Sequence, residues 1–182
     1  MSYRVLADGH YPYFITCTIV EWLPIFKEEC YQKIVLDALA FIRESKHTQL
    51  NAFVLMSSHL HAVLWPEEKI NLSDVLRDFK RFTSRAISAQ ANLSKDSQLI
   101  SKFTSNREKH RAQDVSQFQV WQDGFHPEAI FTEDFARQKI DYIHMNPVKA
   151  GFVSRPEDWP FSSARAYLFG DVTSPPVELL GA

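Results

Sequence analysis

An α+β fold is predicted: an antiparallel sheet with helices on one face, followed by a further helix near the C-terminus. Segments that alternate β-branched and aromatic residues with period two trade places with segments whose apolar residues recur every three or four positions. Their order is strand, helix, strand, strand, helix, strand, helix. Two of the strands are joined by only a pair of serines, as in an antiparallel hairpin.

Tyr13 to Val20 (Y-F-I-T-C-T-I-V) reads as the first strand. From Lys27 to Ser45, Tyr31, Ile34, Val35, Ala38, Leu39 and Ile42 mark an amphipathic helix. Leu50 to Met56 and Leu60 to Trp65 are the next two strands, with Ser57-Ser58 between them. Asn71 or Ser73 caps a second helix that runs to about Gln90, and its buried stripe includes Leu72, Val75, Leu76 and Phe79. Residues 91 to 117 are polar and poor in apolar anchors, so a long loop is expected there, with at most a short helix around Ser97 to Phe103. Phe118 to Phe131 holds the fourth strand, broken at Asp123-Gly124 and at Pro127. Thr132 caps a helix expected to stop near Met145 or Asn146, because Pro147 disfavours helical geometry in the residue before it. A short helix follows at Ser162 to Phe169, then a loose tail. The first six elements follow the split β-α-β order of a ferredoxin-like sandwich. That order carries the fold and not the function.

The bulk numbers set bounds. At 182 residues one domain is expected, over about 1–170, with 171–182 as tail. Hydrophobic residues make up 45% and nothing approaches the ~20 apolar residues that span a bilayer, so no membrane association is expected. The N-terminal residues lack an apolar stretch of signal-peptide length, which points to the cytoplasm. Cys17 and Cys30 read as free thiols. A net charge of −2 argues mildly against nucleic acid, although a local basic patch would suffice.

Two chemistry-bearing groups stand out. In S-S-H-L-H-A-V-L, His59 and His61 project from one face of a strand, because side chains two apart point the same way. Two neutral imidazoles so placed could share one divalent cation, or could simply be hydrogen-bonded sheet histidines. No cysteine or third histidine lies at a zinc-ligand spacing. In I-D-Y-I-H-M-N-P-V-K-A-G, Tyr142 and Asn146 are one helical turn apart, with Lys139 nearby. An Asn oxygen can ligate a hard cation, and a phenol can act as covalent nucleophile. Equally, Tyr142 could pack at the core edge and Asn146 could close the helix.

Taken together, H-L-H, V-W-Q-D-G-F-H, Y-I-H-M-N-P-V-K-A-G and W-P-F-S-S-A-R-A-Y resemble the single-tyrosine HUH transposases, and within them the REP-associated tyrosine transposases. The resemblance implies a nucleoid-associated enzyme that binds single-stranded or hairpin DNA, with Mg²⁺ or Mn²⁺ as cofactor. His59, His61 and Asn146 match the metal ligands and Tyr142 the nucleophile. Cleavage would leave a 5′-phosphotyrosine link and a free 3′-hydroxyl. The family includes dimers that complete each site with the partner's tyrosine helix, hence a homodimer is one implied assembly and a monomer the other. Ser57-Ser58 stands where Pro-Asn often precedes the histidines. The polar stretch 91–117 is longer than the family's usual connection.

Arg77, Lys80, Arg81 and Arg85 lie on the polar side of the second helix and are candidates for tracking a DNA backbone, or else a solvated face. Lys149 is a further basic candidate. Trp121, Phe125 and Trp159 could stack on bases or fill core, and His126 and His144 are candidate auxiliary groups or else structural, the second reading being preferred. Two other readings compete with the transposase: a catalytically silent DNA-binding regulator of the same fold, and a metal-dependent phosphodiesterase in which Tyr142 is structural.

Overall fold

A computed structural model describes residues 10–110, 118–124 and 126–180. Strands β1 (Tyr13–Thr18), β2 (Thr48–Leu55), β3 (His59–Pro66) and β4 (Glu128–Ala129) form one sheet in the order β2-β3-β1-β4. Every pair is antiparallel. Helix α1 (Glu29–Ser45) carries the chain from β1 across the sheet to β2, and β3 fills the gap between them. This is the predicted ferredoxin-like arrangement. After β3 come α2 (Leu72–Leu93), α3 (Ser97–His110), α4 (Glu133–Lys149) and the short α5 (Ala164–Phe169).

The period-two pattern sorts the strands into two faces. Ile15, Cys17, Leu50, Phe53, Leu60, Ala62 and Leu64 turn one way and pack against Val35, Leu39 and Ile42 of α1 and Val75, Leu76 and Phe79 of α2. Phe14, Ala52, Val54 and Val63 turn the other way, onto Ala136, Ile140 and Ile143 of α4. Each large apolar side chain buried this way contributes about 1.5–3 kcal/mol. The sheet is therefore covered on both sides, with α1 and α2 on one face and the tyrosine-bearing α4 on the other.

Four expectations are corrected. The stretch 91–117 is not a long loop: α2 continues to Leu93 and α3 spans Ser97–His110, while 111–117 lie outside the described residues. Asp96 starts α3 by accepting the Leu99 amide at 2.9 Å, and Leu99 and Phe103, one turn apart, are buried in the main core. Two anchors and a cap suffice where a full apolar stripe was sought. The fourth strand is not the run Phe118 to Phe131 but the two residues after Pro127, with Trp121 making one isolated bridge to Ile19.

The third correction concerns α4, which passes through Pro147 to Lys149. Proline removes one amide and crowds the turn before it. Here Pro147 is buried, and the end is closed instead by a two-bond motif. The Phe152 amide donates to the Pro147 carbonyl at 2.9 Å and the Gly151 amide to Val148 at 3.0 Å, with Gly151 at φ +73°. Lastly, the described part of the tail is docked, not loose. The Glu178 amide donates to the Leu50 carbonyl at 3.0 Å and its carboxylate pairs with Arg43 at 2.6 Å. Together with Phe161 and Ser163, which also bond β2, it covers the outer edge of the sheet.

Candidate active site

On β3, His59 and His61 share the face that looks toward α4, as the alternation requires. Their rings are 4.8 Å apart between centroids. Pairing with β1 sets Thr16 directly opposite His61, and the Thr16 hydroxyl lies 2.8 Å from His61 Nδ1. Ser58 Oγ lies 3.3 Å from His59 Nδ1. With hydroxyl oxygens at both Nδ1 atoms, Nε2 is the nitrogen that each ring presents to a ligand. Phe14, two residues before Thr16, stacks on His61 at 5.4 Å and 22°.

Helix α4 brings the remaining groups. Thr132 accepts the Phe135 amide at 3.2 Å, and Ile140 and Ile143 seat the helix on the sheet. That rotation turns Tyr142 toward the histidines: its ring meets His61 edge-on at 5.2 Å and Phe14 at 5.8 Å, while 40% of the residue stays exposed. Asn146, one turn on, lies beside His59, where its side chain acts against the effect of burial on that ring. The four residues named from sequence are thus one cluster, formed across strand and helix.

Burial governs the charge of the site. It pushes the His61 imidazole down to about 3, with His59 and the Lys139 ammonium acting in the same direction. His59 is also held below its ordinary value by burial, opposed by the Asn146 side chain. Both rings are therefore neutral near pH 7, the state in which imidazole ligates metal. Among the described residues no trio of His, Cys, Asp and Glu converges, and the Asn146 amide oxygen is the further group that could serve a cation beside the two imidazoles. Two neutral nitrogens and one neutral oxygen fit a divalent ion that keeps positions open for phosphate oxygens.

The basic candidates separate. Lys149 lies on the tyrosine side, with Nζ 5.8 Å from the centre of the Tyr142 ring. Arg77, Lys80, Arg81 and Arg85 belong to α2, on the opposite side of the sheet. Arg77 pairs with Asp74 at 2.6 Å, and Lys80 donates to the Gln122 and Gly124 carbonyls at 3.3 and 3.1 Å. Arg81 and Arg85 line an apolar groove between α1 and α2 with Phe41 and Phe82.

Trp121 is core and donates its indole N–H to Thr83 at 2.9 Å, while Phe125 lies outside the described residues. Trp159, part-buried, donates to the Leu55 carbonyl at 3.0 Å. His144 is buried against Ser163 Oγ at 2.9 Å, and burial pushes it down to about 4. His126 is exposed beside Gly124. Sequence reasoning missed Thr16, Phe14 and Ser58, and also Trp22, whose ring is 5.4 Å from His59.

Fold and site together define a ferredoxin-like protein in which paired sheet histidines face a tyrosine and an asparagine on a helix. No family model matches the chain. Curated proteins do: a REP-associated tyrosine transposase of Escherichia coli (strain K12) is 26% identical over 133 residues, which are 72% of this chain and 63% of that protein. A Haemophilus influenzae protein, provisionally given the same name, is 27% identical over 62% of this chain and 56% of its own length. The chain thus matches somewhat under two thirds of the length of these relatives. The solved structure of a REP-associated tyrosine transposase bound to a REP hairpin shares the fold. Its TM-score is 0.58 at 21% identity, over 93% of this chain and 87% of that one. The chain is thus similar in sequence to REP-associated tyrosine transposases, and similar in fold to the solved one.

Proposed function

We propose that this protein is a DNA transposase or strand transferase that cleaves and rejoins single-stranded or hairpin DNA through a covalent 5′-phosphotyrosine intermediate. The observation that carries the reading is Tyr142 set edge-on against His61 at 5.2 Å, with the His59 ring 4.8 Å from that of His61 beside it. The solved relative bound to a REP hairpin supports DNA of that kind as the substrate class.

His59, His61 and Asn146 would hold Mg²⁺ or Mn²⁺, which when bound draws charge from the scissile phosphate and orients it. Thr16 and Ser58 fix the two imidazoles. The Tyr142 oxygen forms a bond to phosphorus as the phosphorus–O3′ bond breaks. The phenol gives up its proton and the departing 3′-oxygen gains one. Attack by that hydroxyl, or by another 3′-hydroxyl, restores a phosphodiester and frees Tyr142. Phenol suits both directions, since an ordinary pKa near ~10 makes it a workable nucleophile and a workable leaving group. The bond energy stays in the phosphotyrosine ester, so no nucleotide hydrolysis is needed. Lys149, beside Tyr142, can neutralise a nearby backbone phosphate. The basic residues of α2 lie across the sheet, so DNA contacts there would be made away from the reacting phosphate.

A labelled hairpin-bearing single strand, incubated with Mn²⁺ or Mg²⁺ and run on a denaturing gel, tests the reading. A shifted protein–DNA band should form, and should vanish in Tyr142→Phe and with chelator. Cleavage that survives Tyr142→Phe would favour the phosphodiesterase instead. Binding without cleavage under either ion would favour the silent regulator.

A further inference from the structure

The turn that leaves β1 places a tryptophan where neither folding nor the cleavage site requires one. The Ile19 amide donates to the Ser58 carbonyl at 2.9 Å, which ties this turn to the residue before His59. Glu21 and Trp22 then both take left-handed backbone angles, φ 53° and 55°. L-residues with a Cβ avoid that region, bulky ones most of all, and such strain persists only where the surroundings impose it. Helix α3 is what imposes it: the Glu21 carboxylate accepts from Lys102 Nζ at 2.8 Å and from Asn106 Nδ2 at 3.1 Å. The outcome is an indole edge-on to His59 at 5.4 Å and still 59% exposed. A ring held this firmly yet left in water does little for the core.

We propose that Trp22 is a stacking platform for an unpaired nucleobase adjoining the phosphate bound at His59, His61 and Tyr142, and that α3 holds it in place through Glu21. The inference rests on the proposed action on single-stranded DNA. Every base has a π-face, so such a contact supplies affinity and aligns the strand without reading sequence. It also gives α3 a task. The segment is a strut that fixes the turn beside the site, and its Lys102 is engaged with Glu21 instead of with phosphate.

Binding of a fluorescein-labelled oligothymidylate single strand, followed by anisotropy in the wild type, Trp22→Ala and Trp22→Phe, tests this. Mn²⁺ affinity of each variant is measured separately by electron paramagnetic resonance. Trp22→Ala should bind the strand about 5- to 100-fold more weakly, with Trp22→Phe retaining most of the affinity. Mn²⁺ affinity should not change in either. Glu21→Ala should lose part of the strand affinity, because the turn is released. Strand binding by Trp22→Ala within two-fold of wild type would overturn the platform while leaving the proposed function standing. An equal fall in Mn²⁺ and strand affinity would also overturn it, since Trp22 would then only shield His59. A wild-type protein that does not bind the strand would also overturn the platform, while the hairpin assay above decides the proposed function separately.

Discussion

Thr16 sets how His61 is presented. Its hydroxyl lies 2.8 Å from Nδ1, so the ring is held in place by a residue of the neighbouring strand. Outer partners of this kind tune a ligand almost as much as the ligand's own identity. Thr16→Val keeps the shape and removes the hydroxyl, and should weaken Mn²⁺ binding about 10- to 100-fold in a calorimetric titration. Thr16→Ser should restore most of it, and equal affinities in all three proteins would remove Thr16 from the account. At this scale the sequence was informative in a particular way. His59 with His61, and Tyr142 with Asn146, are legible because strand and helix periodicities each place two residues on one face. Thr16 is not, because its role comes from the register between β1 and β3, which pairs residues far apart in the chain. Trp22 was missed for a related reason: a left-handed turn beside a strand end leaves no periodic trace.

Among the elements, α4 is the one on which the site depends, and its C-terminal turn is where the proline rule and the packing part company. Pro147 argued for an early stop, whereas the helix runs on to Lys149 and closes at Gly151. Tertiary packing decides the end, since buried Pro147 and the bonds from Gly151 and Phe152 keep the last turn intact past Asn146. Gly151 sits at φ +73° and a Cβ there would meet nothing within 4 Å, so the cost of Gly151→Ala is purely one of backbone. It should destabilise the fold by about 1 kcal/mol, the left-handed penalty less the entropy gained from restricting the unfolded chain. A lower urea midpoint at unchanged slope is the expected result, and an unmoved midpoint would contradict the closing role of this turn. Helix α3 failed in the opposite direction. Its two buried anchors, Leu99 and Phe103, were too few to show against a polar background, although Asp96 three residues before Leu99 was a readable cap.

The whole molecule divides at its sheet. One face, under α1 and α2, holds the main core; the other, under α4, holds a smaller core and the candidate site. Strand order and the two helices of the split β-α-β were legible because hydrophobic alternation survives burial on either face. The second layer was not, because α4 carries a short apolar stripe that does not say which side of the sheet it covers. Buried histidines on the site's side give the fold a pH dependence with a definite sign. His61 is pushed down to about 3 and His144 to about 4, against roughly 6.5 in an unfolded chain. Below about pH 6.5 the unfolded state takes up protons that the native state refuses, so stability is complete above that value and is lost as the pH falls toward 4. His144 alone corresponds to a loss on the order of 3 kcal/mol at the acid end. Urea midpoints should therefore drop steadily between about pH 6.5 and 4, less steeply in His144→Gln, and a flat profile would contradict the burial of these rings.

The central claim is that the oxygen of Tyr142, and no other group, becomes joined to DNA. Protein incubated with hairpin-bearing single-stranded DNA and Mn²⁺, digested with nuclease and protease, and sequenced by mass spectrometry answers it directly. A nucleotide phosphate is expected on Tyr142, within the α4 peptide that also contains Asn146. A nucleotide on any other residue, or cleaved DNA with no modified peptide, would contradict it.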